Sequence, residues 1–208
     1  MITEFLTVDG EATAITVVNR SKFICYIKGI KNEAEAKEYV LSIKKQNSLA
    51  KHNCYAYIAD DAGFVLKFSD DGEPQGTAGL PMLEVLKGRS LRRVVAVVTR
   101  YFGGIKLGTG GLARAYSDAV GEALNSSKIT KFCLSDIFSF YLSYADYQAF
   151  LGCLDRENCK VISTDFGDYV KICVSVKINC SRQFINKVTD VFCGNIKYIK
   201  ESEDFFAF

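Results

Sequence analysis

Residues 94–99 read VVAVVT, a run of strand length with no charged side chain. A run that is apolar on both of its alternating faces fits a central strand covered on both sides. The chain then enters RYFGGIKLGTGG (100–111), with five glycines in twelve residues. A helix is expected from about Leu112 to Asn125. Leu112, Tyr116, Ala119, Val120 and Ala123 share its apolar face, with Arg114, Asp118 and Glu122 opposite. A buried strand, a glycine-rich turn and an amphipathic helix in this order commit the first part of the chain to mixed α and β packing.

The flanking residues extend the pattern. Residues 12–18 and 22–29 read as strands from their β-branched and aromatic content. Asn32 opens a helix with Glu35 as its capping-box partner and Ala36, Val40 and Ile43 as its stripe. His52 to Ala59 alternates as a strand, with Phe64 to Phe68 as its hairpin partner. Residues 69–77, SDDGEPQGT, form a polar loop before a short helix at about 79–87 that stops near Gly88. Residues 126–136 read as a linker. Beyond it, Phe138, Phe140, Leu142 and Tyr144 alternate with polar or half-polar neighbours. Tyr147, Phe150, Leu151 and Leu154 then fall at helical spacing. Strands follow at 159–166 and 169–178, with a hairpin at Phe166–Asp168. Ser181 caps a helix carrying Phe184, Ile185, Val188 and Val191, which Gly194 ends. Residues 196–200 make a last strand. This βαββαβ order is that of a ferredoxin-like unit. The expectation is an α+β protein of two domains, residues 1–131 and 132–208.

The bulk numbers are those of a globular chain. Of 208 residues, 49% are hydrophobic and 24% charged, enough for packed cores. The net charge of +2 is divided unevenly. Residues 1–131 carry 18 basic and 14 acidic side chains, net +4, and residues 132–208 carry 8 and 10, net −2. An anionic partner would therefore meet the first half. The eight cysteines include no CxxC pair and the chain has one histidine, His52. That inventory signals neither a zinc site nor a cofactor, and it reads as reduced structural thiols of a cytoplasmic protein. No stretch approaches the roughly 18 apolar residues of a membrane span, and no leader-like start is visible.

Several groups carry chemistry. A glycine-rich turn entering a helix offers free N–H groups, backed by the helix dipole, to an anion. Here the amides would be those of residues 103–111, among them Gly103, Gly104, Gly108, Thr109, Gly110 and Gly111, with Thr109 as N-cap. Arg100, Lys106 and Arg114 would add charge. The turn lacks the ending of a Walker loop and the spacing of a GxGxxG fingerprint. An alternative is that the turn is tight only so that helix and sheet can pack. From Val85 to Ser117 there are seven basic residues and no acidic one. Tyr101 and Phe102, directly after Arg100, would be stacking platforms for single-stranded bases, or else core side chains. Arg114 and Asp118 are also spaced as a surface ion pair. Asp70, Asp71 and Glu73 have three readings. They are carboxylates that order their loop through its backbone or through Arg100 or Arg114, a magnesium site, or solvated turn residues. Their spacing is not that of a calcium loop. His52 and Cys54 share one face of a strand but lack the third group of a nucleophilic set. They read as a pocket-rim histidine and a packing thiol. The DFFAF tail either covers a sheet edge or meets a partner.

Two runs, SDDGEPQGTAGLP (69–81) and VVTRYFGGIKLGTGGLARAY (97–116), resemble the signature blocks of the YigZ/IMPACT family. RSKFI (20–24) and HNCYAY (52–57) precede them in the expected order. The resemblance covers the first domain. The second resembles the family's bacterial C-terminal module by element order. The family implies a two-layer N-terminal α/β domain, like the second domain of a small-subunit ribosomal protein. It implies a ferredoxin-like C-terminal domain, like one in the translocation elongation factor. Its eukaryotic members regulate translation by competing for an activator of a starvation-responsive kinase. The expected function is a cytoplasmic regulatory module that binds RNA or a ribosome-associated partner through the basic glycine-rich loop. Two alternatives remain open. One is an enzyme acting on a small phosphorylated or carboxylated compound in a cleft shared by His52 and the Asp70–Glu73 loop. The other is a protein-interaction domain.

Overall fold

The computed structural model describes residues 2–208. The chain divides into two compact units, Phe5–Thr130 and Lys131–Phe208, the second also taking the residues up to Glu4. In the first unit a short strand β1 (Glu4–Val8) precedes β2 (Glu11–Val18), β3 (Ser21–Gly29) and helix α1 (Glu33–Gln46). Then come β4 (His52–Ile58), β5 (Leu66–Ser69), α2 (Gly79–Gly88), β6 (Val94–Tyr101) and α3 (Gly108–Asn125).

Five of these strands form one antiparallel sheet in the order β2-β3-β6-β4-β5. The apolar run lies at its centre, with every residue from Val94 to Arg100 buried. Val94, Ala96 and Val98 face a core with Met82, Leu83 and Leu86 of α2 and Leu112, Tyr116 and Val120 of α3. Val95 and Val97 face the other way, against Val40 and Ile43 of α1. The two-layer expectation therefore gains a layer, because α1 covers the opposite face. Its N-cap is Asn32, whose side chain accepts from the Glu35 N–H, while Glu35 accepts from the Lys31 N–H at 2.8 Å.

The second unit holds β7 (Ile129–Leu142), α4 (Tyr144–Leu151), β8 (Cys159–Phe166), β9 (Val170–Lys177), α5 (Ser181–Val191) and β10 (Lys197–Ala207). Antiparallel pairing gives the order β10-β7-β9-β8, the ferredoxin-like arrangement. Phe138 and Phe140 of β7 and Ile172 and Val174 of β9 pack beneath Phe150 of α4 and Phe184 of α5. The Thr3 carbonyl accepts from the Leu134 N–H at 2.8 Å and ties the start of the chain to β7.

Four local expectations change. Strand β1 carried no alternation long enough to be read. The supposed linker is mostly the first half of β7, whose outer residues alternate between exposed and half-buried. The last strand runs on through the aromatic tail, where Phe205 and Phe206 pair with Leu134 and Cys133. Charged side chains at 200–204 hid it, as suits an edge strand. Ser181 lies inside α5 rather than capping it, its hydroxyl donating to the Lys177 carbonyl at 3.3 Å.

Candidate anion-binding site

The chemistry gathers at the end of β6, where two loops meet. The first, residues 69–77, is closed by its own carboxylates. Asp70 accepts from the Gly76 N–H at 2.8 Å, the Ala78 N–H at 3.0 Å and the Gly79 N–H at 2.8 Å. It thereby caps α2, which has no local cap of its own. Asp71 accepts from Lys44 Nζ at 2.6 Å and from the Asn53 N–H of β4 at 2.8 Å. Glu73 is buried and takes the Arg100 guanidinium at 2.7 Å and the Tyr116 hydroxyl at 2.8 Å on one oxygen. The three carboxylates thus diverge: Asp70 to α2, Asp71 to α1 and β4, and Glu73 to β6 and α3.

Beneath them, the Cys54 thiol donates to the Asp70 carbonyl at 2.9 Å and lies 3.4 Å from the Tyr116 hydroxyl. Burial pushes this thiol up to about 12 and raises the Tyr116 hydroxyl as well. His52 Nδ1 lies 2.9 Å from the Asp71 carbonyl. His52 and Cys54 therefore serve the same loop by separate contacts.

Arg100 pairs across the sheet with Phe23 on one side and His52 on the other. Its guanidinium carbon sits 5.4 Å from the Phe23 ring centre and 5.5 Å from that of Phe102. One terminal nitrogen is spent on Glu73, while Nε is buried without a hydrogen-bond partner. Tyr101 points to the opposite face and donates to Asn47 at 3.2 Å, at the end of α1. Phe102 is the open aromatic, 57% exposed. Arg100, Tyr101 and Phe102 line a groove of about 480 Å³ with His52, Lys51 and Leu49.

The second loop, 102–107, is built differently. The Gly103 N–H donates to the Ser21 hydroxyl at 3.1 Å, and a Cβ there would sit 2.0 Å from the Arg20 carbonyl carbon. Gly103 is thus a packing glycine, held against the β2–β3 turn. From Gly104 onward the surroundings open. Gly104 and Gly108 have φ of +89° and +70°, and a Cβ on either, or on Gly110, would meet nothing within 4 Å. Helix α3 begins at Gly108, so Thr109 lies within the first turn instead of capping it, and no side chain caps this end. Glycine has the weakest helix preference after proline, so periodicity alone started the helix only at Leu112. Its first amides have no intrahelical partner. Among the described residues, no hydrogen bond reaches the amides of Gly104 to Leu107 either. Lys106 and Arg114 are exposed nearby in sequence, and neither is in an ion pair among the described residues. Gly111 is half-buried, its added Cβ lying 3.2 Å from Leu107 Cβ.

Sequence reasoning missed four parts of this site. They are Tyr116, which read as part of the apolar face of its helix; Phe23, which read only as a strand residue; Asn53, a strand residue used through its backbone; and Lys44, a helix-surface lysine.

The relatives agree with this architecture. Residues 19–124 match the family model of the Impact N-terminal domain. The IMPACT family member YvyE of Bacillus subtilis is 46% identical over 157 residues, 76% of this chain and 70% of that protein. The IMPACT family member YigZ of Escherichia coli is 32% identical over 193 residues, 92% of this chain and 95% of that one. A solved structure described as the crystal structure of a hypothetical protein aligns with 98% of this chain at 30% identity and a TM-score of 0.64.

Proposed function

The chain belongs to the IMPACT family, and on that premise we propose that it is a regulatory binding module linked to translation, with RNA as its ligand. The ligand phosphate meets the amides of Gly104 to Gly110 at the start of α3. Lys106 and Arg114 supply the mobile positive charge. Arg100 acts from below, through its unpartnered Nε and through the Phe102 ring it supports. One observation carries this reading: an exposed start of an 18-residue helix, uncapped by any side chain, follows a loop whose amides from Gly104 to Leu107 are unclaimed among the described residues. A backbone of that kind favours an anion. No described helix is long and apolar enough to cross a membrane.

The enzyme alternative calls on His52 and the Asp70–Glu73 carboxylates. His52 Nδ1 and all three carboxylates are engaged within the fold. The proposal is tested by titrating a labelled mixed-sequence RNA at several salt concentrations against wild type and Lys106→Ala/Arg114→Ala. Binding should weaken steeply with salt. Loss of two phosphate contacts should lower the slope by roughly 1.4, at about 0.7 per contact on single strands. Salt-insensitive binding, or none at low salt, rejects the proposal. Arg100→Ala is the wrong variant for this purpose, because it also strands Glu73.

A further inference from the structure

A second groove lies on the α1 face of the first unit. It has a volume of about 300 Å³ and is lined by Lys37, Val40, Leu41 and Lys44 of α1, Tyr55 and Tyr57 of β4, and Lys67 of β5. The two tyrosine rings lie parallel, 6.1 Å apart with 9° between their planes. Tyr57 is fully buried, with its hydroxyl donated to Glu33 at 2.7 Å. Tyr55 is the ring that reaches the groove, with Lys44 Nζ 5.8 Å above its centre. Leu41 stands 66% exposed on the rim.

The charge count favours an anion. Three ammonium groups stand against two carboxylates, and Lys37 and Lys44 are paired with those two, so the excess is the one charge of Lys67. Glu33 accepts from the Tyr57 hydroxyl and is paired with Lys37 at 3.0 Å, and these bonds lower its carboxyl from the ordinary value. Asp71 is held by Lys44 and the Asn53 N–H. Lys67 has no ion pair among the described residues.

The two grooves are neighbours. His52, which lines the larger one, contacts the Asp71 carbonyl at 2.9 Å, and Lys44, which lines the smaller, holds the Asp71 carboxylate at 2.6 Å. Helix α1 runs along the smaller groove, and the residues just after it, Leu49 to Lys51, wall the larger. Asp71 therefore touches a lining residue of each groove, and each groove has an aromatic ring, Phe102 in one and Tyr55 in the other.

We propose that these grooves form one continuous path for a single-stranded nucleic acid several nucleotides long, the α1 groove being its second subsite. This inference rests on the RNA reading given above and specifies its ligand. A basic track with spaced aromatic platforms is the arrangement that holds unpaired bases, each stacked on a ring while phosphates meet lysines. A duplex keeps its bases stacked on one another and offers neither ring a face. A single nucleotide reaches one groove only.

Labelled oligouridylates of four and twelve nucleotides, and a twelve-base-pair RNA duplex, test it against wild type and Lys37→Ala/Lys67→Ala. Both substitutions lie on the surface, and circular dichroism checks that the fold is kept. The double variant should lose roughly tenfold affinity for the twelve-mer, with a salt slope lower by about 1.4. Its affinity for the four-mer should stay within about twofold of wild type, because so short a strand can sit on the α3 site without reaching the α1 groove. Equal twelve-mer binding by wild type and variant overturns the second subsite and leaves the α3 site standing. Duplex binding as tight as the twelve-mer overturns the single-strand assignment. No binding of any probe by wild type overturns the RNA reading itself, and this inference with it.

Discussion

The loops 69–77 and 102–107 meet near Arg100 and each carries two glycines, yet they use their backbone amides in opposite ways. In the first, three carboxylates accept from α2, β4, α1, β6 and α3, so every charge is consumed inside the fold. In the second, one amide is anchored on Ser21 and the rest are left to solvent. The difference shows how bare backbone is kept open beside charged groups. The acidic loop neutralises itself and clamps the sheet end. The glycine loop beside it can then present bare backbone without collapsing onto the nearest carboxylate.

The largest test of this contrast is Glu73→Ala. It strands the buried Arg100 guanidinium and the Tyr116 hydroxyl together. Breaking a buried pair in this way costs about 3–5 kcal/mol, to be read from urea unfolding. A cost under about 1 kcal/mol would mean that the clamp is not what holds the sheet end.

The glycines sharpen the contrast further. Gly103→Ala drives a Cβ into the Arg20 backbone and should cost about 2–3 kcal/mol. Gly110→Ala meets open space and should be neutral or up to about 1 kcal/mol stabilising. On the proposed reading it should nevertheless weaken RNA binding, by placing a methyl where the phosphate would approach. If both variants destabilise alike, the loop is a packing device throughout.

Asp70→Ala removes the acceptor of three amides and the cap of α2, for an expected loss of about 2 kcal/mol by thermal unfolding. Lys44→Ala breaks a pair whose side chains are 33% and 26% exposed. Screening there holds the loss to about 0.5 kcal/mol. Maleimide labelling at neutral pH adds a chemical check. Exposed Cys193 should react, while Cys54, buried and with its thiol pushed up to about 12, should stay unlabelled until the protein unfolds.

Much of this was legible in the sequence. The VVAVVT run gave away the central strand because both its faces are apolar, and residues 138–200 gave away the ferredoxin-like order because each element there keeps one clean period. Strand β1 was not legible because it is only five residues long, and the start of β7 because it alternates between exposed and half-buried. At the site, the chain marked Arg100, Glu73 and the glycines as chemically special. It could not tell which carboxylate meets which donor, because such pairings depend on strand register across β3, β6 and β4. Lys44, Asn53 and Tyr116 carry no local signal. At the site they act through loop 69–77, which the fold brings to them from at least 18 residues away in sequence.

The central claim is that one loop's amides are taken and the other's are free, and amide hydrogen exchange followed by NMR reads this residue by residue. In the protein alone, the amides of Asn53, Gly76, Ala78 and Gly79 should exchange slowly. Those of Gly104 to Gly110 should exchange fast, and slow down when the twelve-nucleotide oligouridylate is added. Slow exchange at Gly104 to Gly110 in the free protein, or fast exchange unchanged by the oligonucleotide, would contradict the account.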